Sequence, residues 1–82
     1  MDKLYKISDF AKLVGTTTKT LRLYESKGLL LPAYKDDKSY RFYNHEQEKQ
    51  FSEISKLKFF GFSLKEIKSI LYLSSDKFDV AN

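Results

Sequence analysis

Lys19 and Arg22 are the residues on which chemistry is easiest to place. They stand three apart in the stretch TTTKTLRLYESKGLL, residues 16–30. On a helix that spacing puts two cations on one face, where both can meet phosphate oxygens and the guanidinium can also meet a guanine edge. A helical wheel at ~100° per residue widens the face: Thr18, Lys19, Arg22 and Ser26 fall within about 100° of one another, with Thr20, Leu21 and Tyr24 opposite. The implied chemistry is anion binding, the helix start adding its N–H groups and partial positive charge. Plain solvation of an exposed face by the same two cations is the alternative. Tyr24 divides similarly, its ring suited to the core and its hydroxyl, if wet at the rim, able to touch phosphate.

More cations follow at Lys35, Lys38 and Arg41, which would extend such a surface sideways along a nucleic-acid backbone. Arg41 has its own alternative, as a strand cation paired with Asp36 or Asp37. Catalytic readings find little material. The chain has no cysteine, one histidine (His45, in a helix's first turn without ligand partners), no glycine-rich phosphate loop and no carboxylate pair in an evident cleft. Neither a cofactor nor a metal is expected. The aromatic runs Tyr40-Phe42-Tyr43 and Phe59-Phe60 resemble stacking platforms for single strands, but their spacing favours packing in the core.

The elements that must position these residues are legible. Ser8 is the expected N-cap of a first helix carrying Asp9 in its first turn and Phe10, Leu13 and Val14 on its buried side, with Gly15 as the stop. Thr16 or Thr17 caps a second helix, which Gly28 ends. Two short helices joined by a tight glycine-containing turn have the sequence form of a helix-turn-helix. Pro32 closes the run Leu29-Leu30-Leu31. Ala33–Tyr34, the polar tip Lys35–Ser39 and Tyr40–Tyr43 then read as a β-hairpin, with Tyr40 and Phe42 packing on the helices while Arg41 and Tyr43 take the other face and Arg41 points outward. Asn44 and Gln47 form a capping box opening a third helix with the stripe Phe51, Ile54, Leu57 and a stop at Gly61. Ser63 and Glu66 form another box, with Phe62 and Ile67 as a hydrophobic staple, opening a fourth helix that buries Leu64, Ile67, Ile70 and Leu71. Ser74–Lys77 reads as a turn or a new cap, and Phe78 and Val80 follow with nothing left to cover them.

The bulk properties agree with this plan. Eighty-two residues support one domain, and a chain of that size buries about 60% of its unfolded surface. Fifteen Lys and Arg against eleven Asp and Glu give a net charge of +4, a moderate bias towards an anionic partner. Without cysteines, a signal-peptide pattern or a membrane-length apolar run, the expected location is cytoplasmic, near the nucleoid, with no membrane partner. The fold class expected is mainly α, a winged helix-turn-helix of about four helices plus a small antiparallel hairpin wing. It occupies residues 1–75, and 76–82 form a tail.

Three motifs carry a family resemblance: TLR-x-YE-x-x-GLL at Thr20–Leu30, YR-x-Y at Tyr40–Tyr43, and GFSL-x-EI at Gly61–Ile67. Together, over about residues 4–73, the chain resembles the N-terminal DNA-binding domain of the MerR family of bacterial transcription regulators. The resemblance implies that Thr17–Lys27 is a recognition helix for the major groove, that the hairpin is a first wing, and that Phe60–Ser63 with Lys56 and Lys58 is a second. By the same likeness Thr17, Lys19, Arg22, Tyr24 and Arg41 match positions that touch DNA, and Thr18, Lys35, Lys38, Lys56 and Lys58 complete the expected interface. It further implies promoter DNA as partner, RNA polymerase as an indirect one, and a homodimer held by a long helix after this domain, with residues 76–82 as the possible beginning of that helix. The chain reads as a fragment of a longer regulator, in which case its own DNA binding should be weak and salt-sensitive, as a monomer or weak dimer. One departure stands out, since Leu23 occupies a position where the family often has tyrosine. An excisionase-like DNA-bending factor, or a protein-interaction module with incidental cations, would account for the same residues.

Overall fold

In the computed structural model, which describes residues 3–81, the elements run β1 (Tyr5–Lys6), α1 (Ile7–Val14), α2 (Thr18–Ser26), β2 (Tyr34–Lys35), β3 (Arg41–Tyr43), α3 (His45–Phe59) and α4 (Leu64–Ala81). Four helices and a small antiparallel sheet match the expected class. The sheet, however, has three strands in the order β1-β3-β2, because the N-terminal residues pair with the second strand of the hairpin, Tyr5 opposite Tyr43 and Lys6 opposite Phe42. On the other side of β3, Tyr34 faces Phe42 and Lys35 faces Arg41.

β1 also corrects the start of α1. Strand passes directly into helix at Ile7, so Lys6 occupies the N-cap position without a side-chain cap and Ser8 already lies inside the helix. Phe10 and Ala11 are the buried residues of α1, while Leu13, expected inside, is 44% exposed. The caps between α1 and α4 follow the predicted signals, although β2 falls at Tyr34–Lys35, one residue later than expected. Gly15 ends α1 at φ 77°, a left-handed conformation that costs a residue without Cβ little. The Thr17 hydroxyl accepts from the Thr20 N–H at 3.1 Å and so caps α2. At α3 the Asn44 side chain accepts from the Glu46 N–H at 2.9 Å and the Gln47 side chain accepts from the Asn44 N–H at 2.7 Å. At α4 the Ser63 hydroxyl accepts from the Glu66 N–H at 3.1 Å and the Glu66 carboxylate accepts from the Ser63 N–H at 2.8 Å. Ser74–Lys77 forms neither a turn nor a new start: no glycine or proline interrupts that stretch and α4 passes through it. The side chains of Phe78 and Val80 lie outside the described residues.

One core joins these elements. Phe10 and Ala11 of α1, Leu21 and Tyr24 of α2, Leu29 and Leu30 of the connection, Tyr43 of β3, Ile54 of α3 and Ile67 of α4 are buried together. Phe10 and Tyr43 stack with ring centroids 4.6 Å apart, which ties the sheet to the first helix. Phe51, Leu57, Leu64 and Leu71 pack around this centre. Phe59 and Phe60, expected in it, stand in solvent at the end of α3, edge to face at 5.8 Å.

Candidate nucleic-acid interface

Helix α2 packs on the core through Leu21 and Tyr24, and this fixes where its opposite side points. Lys19, Arg22 and Ser26 are exposed and Thr18 partly so. Among the described residues neither Lys19 nor Arg22 forms an ion pair, so both charges face outward unspent. The first turn of α2 contains no acidic residue. The partial positive charge of that helix end is thus uncompensated from within, and an incoming anion would meet it together with Lys19. Thr17, as the cap, is exposed at the same end. Tyr24 is buried against Phe51 at 6.0 Å, and burial raises its pKa, so its ring serves the core. Leu23 lies on the exposed side, 43% accessible, an apolar flank to the cations.

The sheet faces are the reverse of those expected. Tyr43 is fully buried and Tyr40 is exposed, so Arg41 and Tyr43 turn towards the helices, while Phe42 lies on the opposite face beside Tyr34 at 5.9 Å. The reason is the stack of Tyr43 on Phe10, which decides the face of every other residue in a strand with period two. Arg41 therefore points at α2 rather than into solvent. Its partner is neither Asp36 nor Asp37 but Glu25, one helical turn beyond Arg22; the Arg41 Nε donates to Glu25 Oε1, and Lys35 Nζ reaches Glu25 Oε2 at 3.0 Å. Asp36 has another task. Its Oδ1 accepts from the N–H groups of Lys38 and Tyr40, both at 2.9 Å, and shapes the wing tip around Ser39, which adopts φ 68°. Lys38 stands exposed on that tip.

Burial of Glu25 alone would raise its pKa, but the hydrogen bonds and positive charges of Arg41 and Lys35 outweigh burial and hold the carboxyl below its ordinary value. Beside this group the buried Tyr43 hydroxyl has no hydrogen-bond partner among the described residues, and its pKa is pushed up by burial and by the Glu25 charge. The charges of Arg41 and Arg22 act on the same hydroxyl in the opposite direction, so Tyr43 lies in the combined field of wing and helix.

Lys56 and Lys58 occupy the exposed last turn of α3, Lys56 within 3.8 Å of Glu53, and lead into the Phe60–Ser63 turn. The residue sequence reasoning passed over is Glu25. Its signal was present, a lone acid on an otherwise cationic helix side. His45 is exposed and pairs with Glu48 at 3.2 Å. Among the described residues no cluster of three or more potential metal ligands occurs, and no helix is long and apolar enough to cross a membrane.

Comparison with known proteins follows the same lines. The family model of the MerR HTH family regulatory proteins matches residues 5–73. The transcriptional regulator CueR of Vibrio cholerae is 40% identical over 70 residues, covering 85% of this chain and 50% of that protein. A ZntR homologue of Haemophilus influenzae is 39% identical over 70 residues, 85% of this chain and 52% of the relative. Among solved structures, a MerR-family transcriptional regulator from Bacillus cereus superposes with a TM-score of 0.78 at 31% identity, over 85% of this chain and 52% of that one. HiNmlR, a MerR-family regulator lacking the sensor domain and bound to promoter DNA, gives 0.76 at 31% identity, over 83% and 54%. The chain spans about half the length of the relatives it matches.

Proposed function

Because this chain belongs to the MerR family of helix-turn-helix regulators, we propose that it binds double-stranded promoter DNA sequence-specifically and thereby takes part in transcription control. α2 enters the major groove, Arg22 reading a base edge or bracing a phosphate and Lys19 with the helix start taking phosphate. The hairpin lies along the neighbouring backbone with Lys38 at its tip, and the Phe60–Ser63 turn with Lys56 and Lys58 follows the backbone on the other flank. Thr17, Thr18, Lys35, Arg41 and Tyr24 support this surface from within or at its edge. The chain acts without a catalytic step or cofactor, as a homodimer on a palindromic site, and influences RNA polymerase through the DNA.

One observation carries the reading: the exposed side of α2 presents Lys19 and Arg22, both unpaired among the described residues, on a helix whose first turn contains no acid. The solved relative that lacks the sensor domain and is bound to promoter DNA matches 83% of this chain and supports a DNA-binding role for the matched domain. The test is titration into duplex DNA at two salt concentrations. Binding should weaken steeply as salt rises, in proportion to the phosphates neutralised. Arg22→Ala should cost about 1–3 kcal/mol on a preferred site and less on random DNA if it reads a base. Salt-independent binding, or none at low salt, overturns the reading and favours a protein-docking module.

A further inference from the structure

The wing is held to the recognition helix by an acid, although the surface it helps to form is one where an acid should be a liability. β2 has two residues and β3 three, a hairpin too small to be stable alone. Tyr34 and Tyr40 are exposed, and among the described residues the polar tie between the wing and α2 is the Glu25 carboxylate, which uses both oxygens. Lys35 and Arg41 are direct neighbours across the strand pair. Like charges in that register repel, and Glu25 lies between them as the counter-charge. The carboxylate side chain is 18% exposed and the Arg41 side chain 26%, so the pair is only partly screened by solvent. Had the wing only to add attraction for phosphate, Glu25 would work against it twice, by occupying two cations and by repelling the backbone.

We infer that Glu25 is a specificity-determining residue of this surface: it withholds Lys35 and Arg41 from phosphate and uses them to fix the angle between wing and recognition helix. The inference rests on the DNA-binding reading above. A held wing fits one groove shape and backbone path, so discrimination rises while sequence-independent attraction falls.

The experiment uses the 82-residue chain with Glu25→Gln, which keeps the shape and removes the charge, Glu25→Ala, which removes both, and Glu25→Asp, which keeps the charge. Affinity is measured across a salt series for a short random-sequence duplex and for the duplex that the unaltered protein selects from a random pool. In Gln and Ala variants, binding to the random duplex should tighten about threefold to tenfold, and the slope of log K against log salt should steepen by roughly 1–2, about 0.9 for each released cation. The ratio of selected to random affinity should fall about fivefold or more, and Glu25→Asp should restore part of it. The Arg41 Nε–H resonance, recorded without DNA, reports whether the pair is broken, and a melt reports folding. A broken pair with slope and ratio unchanged overturns the inference, as does a uniform loss of both affinities, which marks a purely structural role. If the unaltered protein binds neither duplex, the DNA reading itself falls and takes the inference with it, while the resonance still reports the pair.

Discussion

Arg41 shows how one residue's role is decided by a neighbour far away in sequence. Its charge and strand position were readable from YR-x-Y, but its direction was not, because alternation gives two faces without saying which is inside. Phe10 settles that by stacking on Tyr43. The guanidinium then meets Glu25, sixteen positions earlier, and a pairing across that separation has no local signature. The pair makes stability depend on pH with a definite sign. Since the folded pKa of Glu25 lies below its ordinary value of 4.5, its contribution is complete above that value and disappears as pH falls through the lowered one. The urea midpoint should therefore drop as pH is taken below about 4.5, and Glu25→Gln should flatten that part of the profile. A parallel drop in the variant would assign the acid sensitivity to other carboxylates.

At the level of elements, the caps separate what local chemistry determines from what the rest of the molecule overrides. Thr17, Asn44 and Ser63 all satisfy backbone donors where predicted, because a cap needs only residues within one turn. Ser8 carries the same kind of side chain and does not cap, because pairing of Tyr5 and Lys6 with β3 draws the helix start forward to Ile7. Thr17→Ala should accordingly cost about 1 kcal/mol in chemical denaturation, whereas Ser8→Ala should stay within about 0.5 kcal/mol. Equal losses would mean that Ser8 stabilises α1 by some other contact. The strand β1 itself escaped sequence reasoning because two residues are too few for a period to show. Ser74–Lys77 failed in the opposite sense: capping residue types were present, but the helix met no stop and continued.

For the molecule as a whole, a small core carries most of the stability, and the motifs pointed to most of it. A domain of this length is expected to hold roughly 4–12 kcal/mol, at about 0.05–0.15 kcal/mol per residue. Ile54, fully buried where α3 meets the other elements, should therefore lose about 2–5 kcal/mol on change to Ala, a large share of the total. Phe59, a larger side chain on the same helix but 86% exposed, should change stability by no more than about 0.5 kcal/mol. Thermal melts of the two variants compare these directly, and a large loss at Phe59 would show that its ring is covered in solution. Apolar spacing found Ile54 and Ile67 but also nominated Leu13 and the Phe59-Phe60 pair, since spacing marks a face and not whether another element arrives to cover it. The three-stranded sheet carries a last consequence, for the order of events during synthesis. Tyr5 is made well before its partner Tyr43. At typical elongation rates β1 must wait about 2–8 seconds for the strand that receives it, so α1 and α2 emerge before the molecule can close its sheet, and anything that crowds β1 would hinder that final clasp more than the helices.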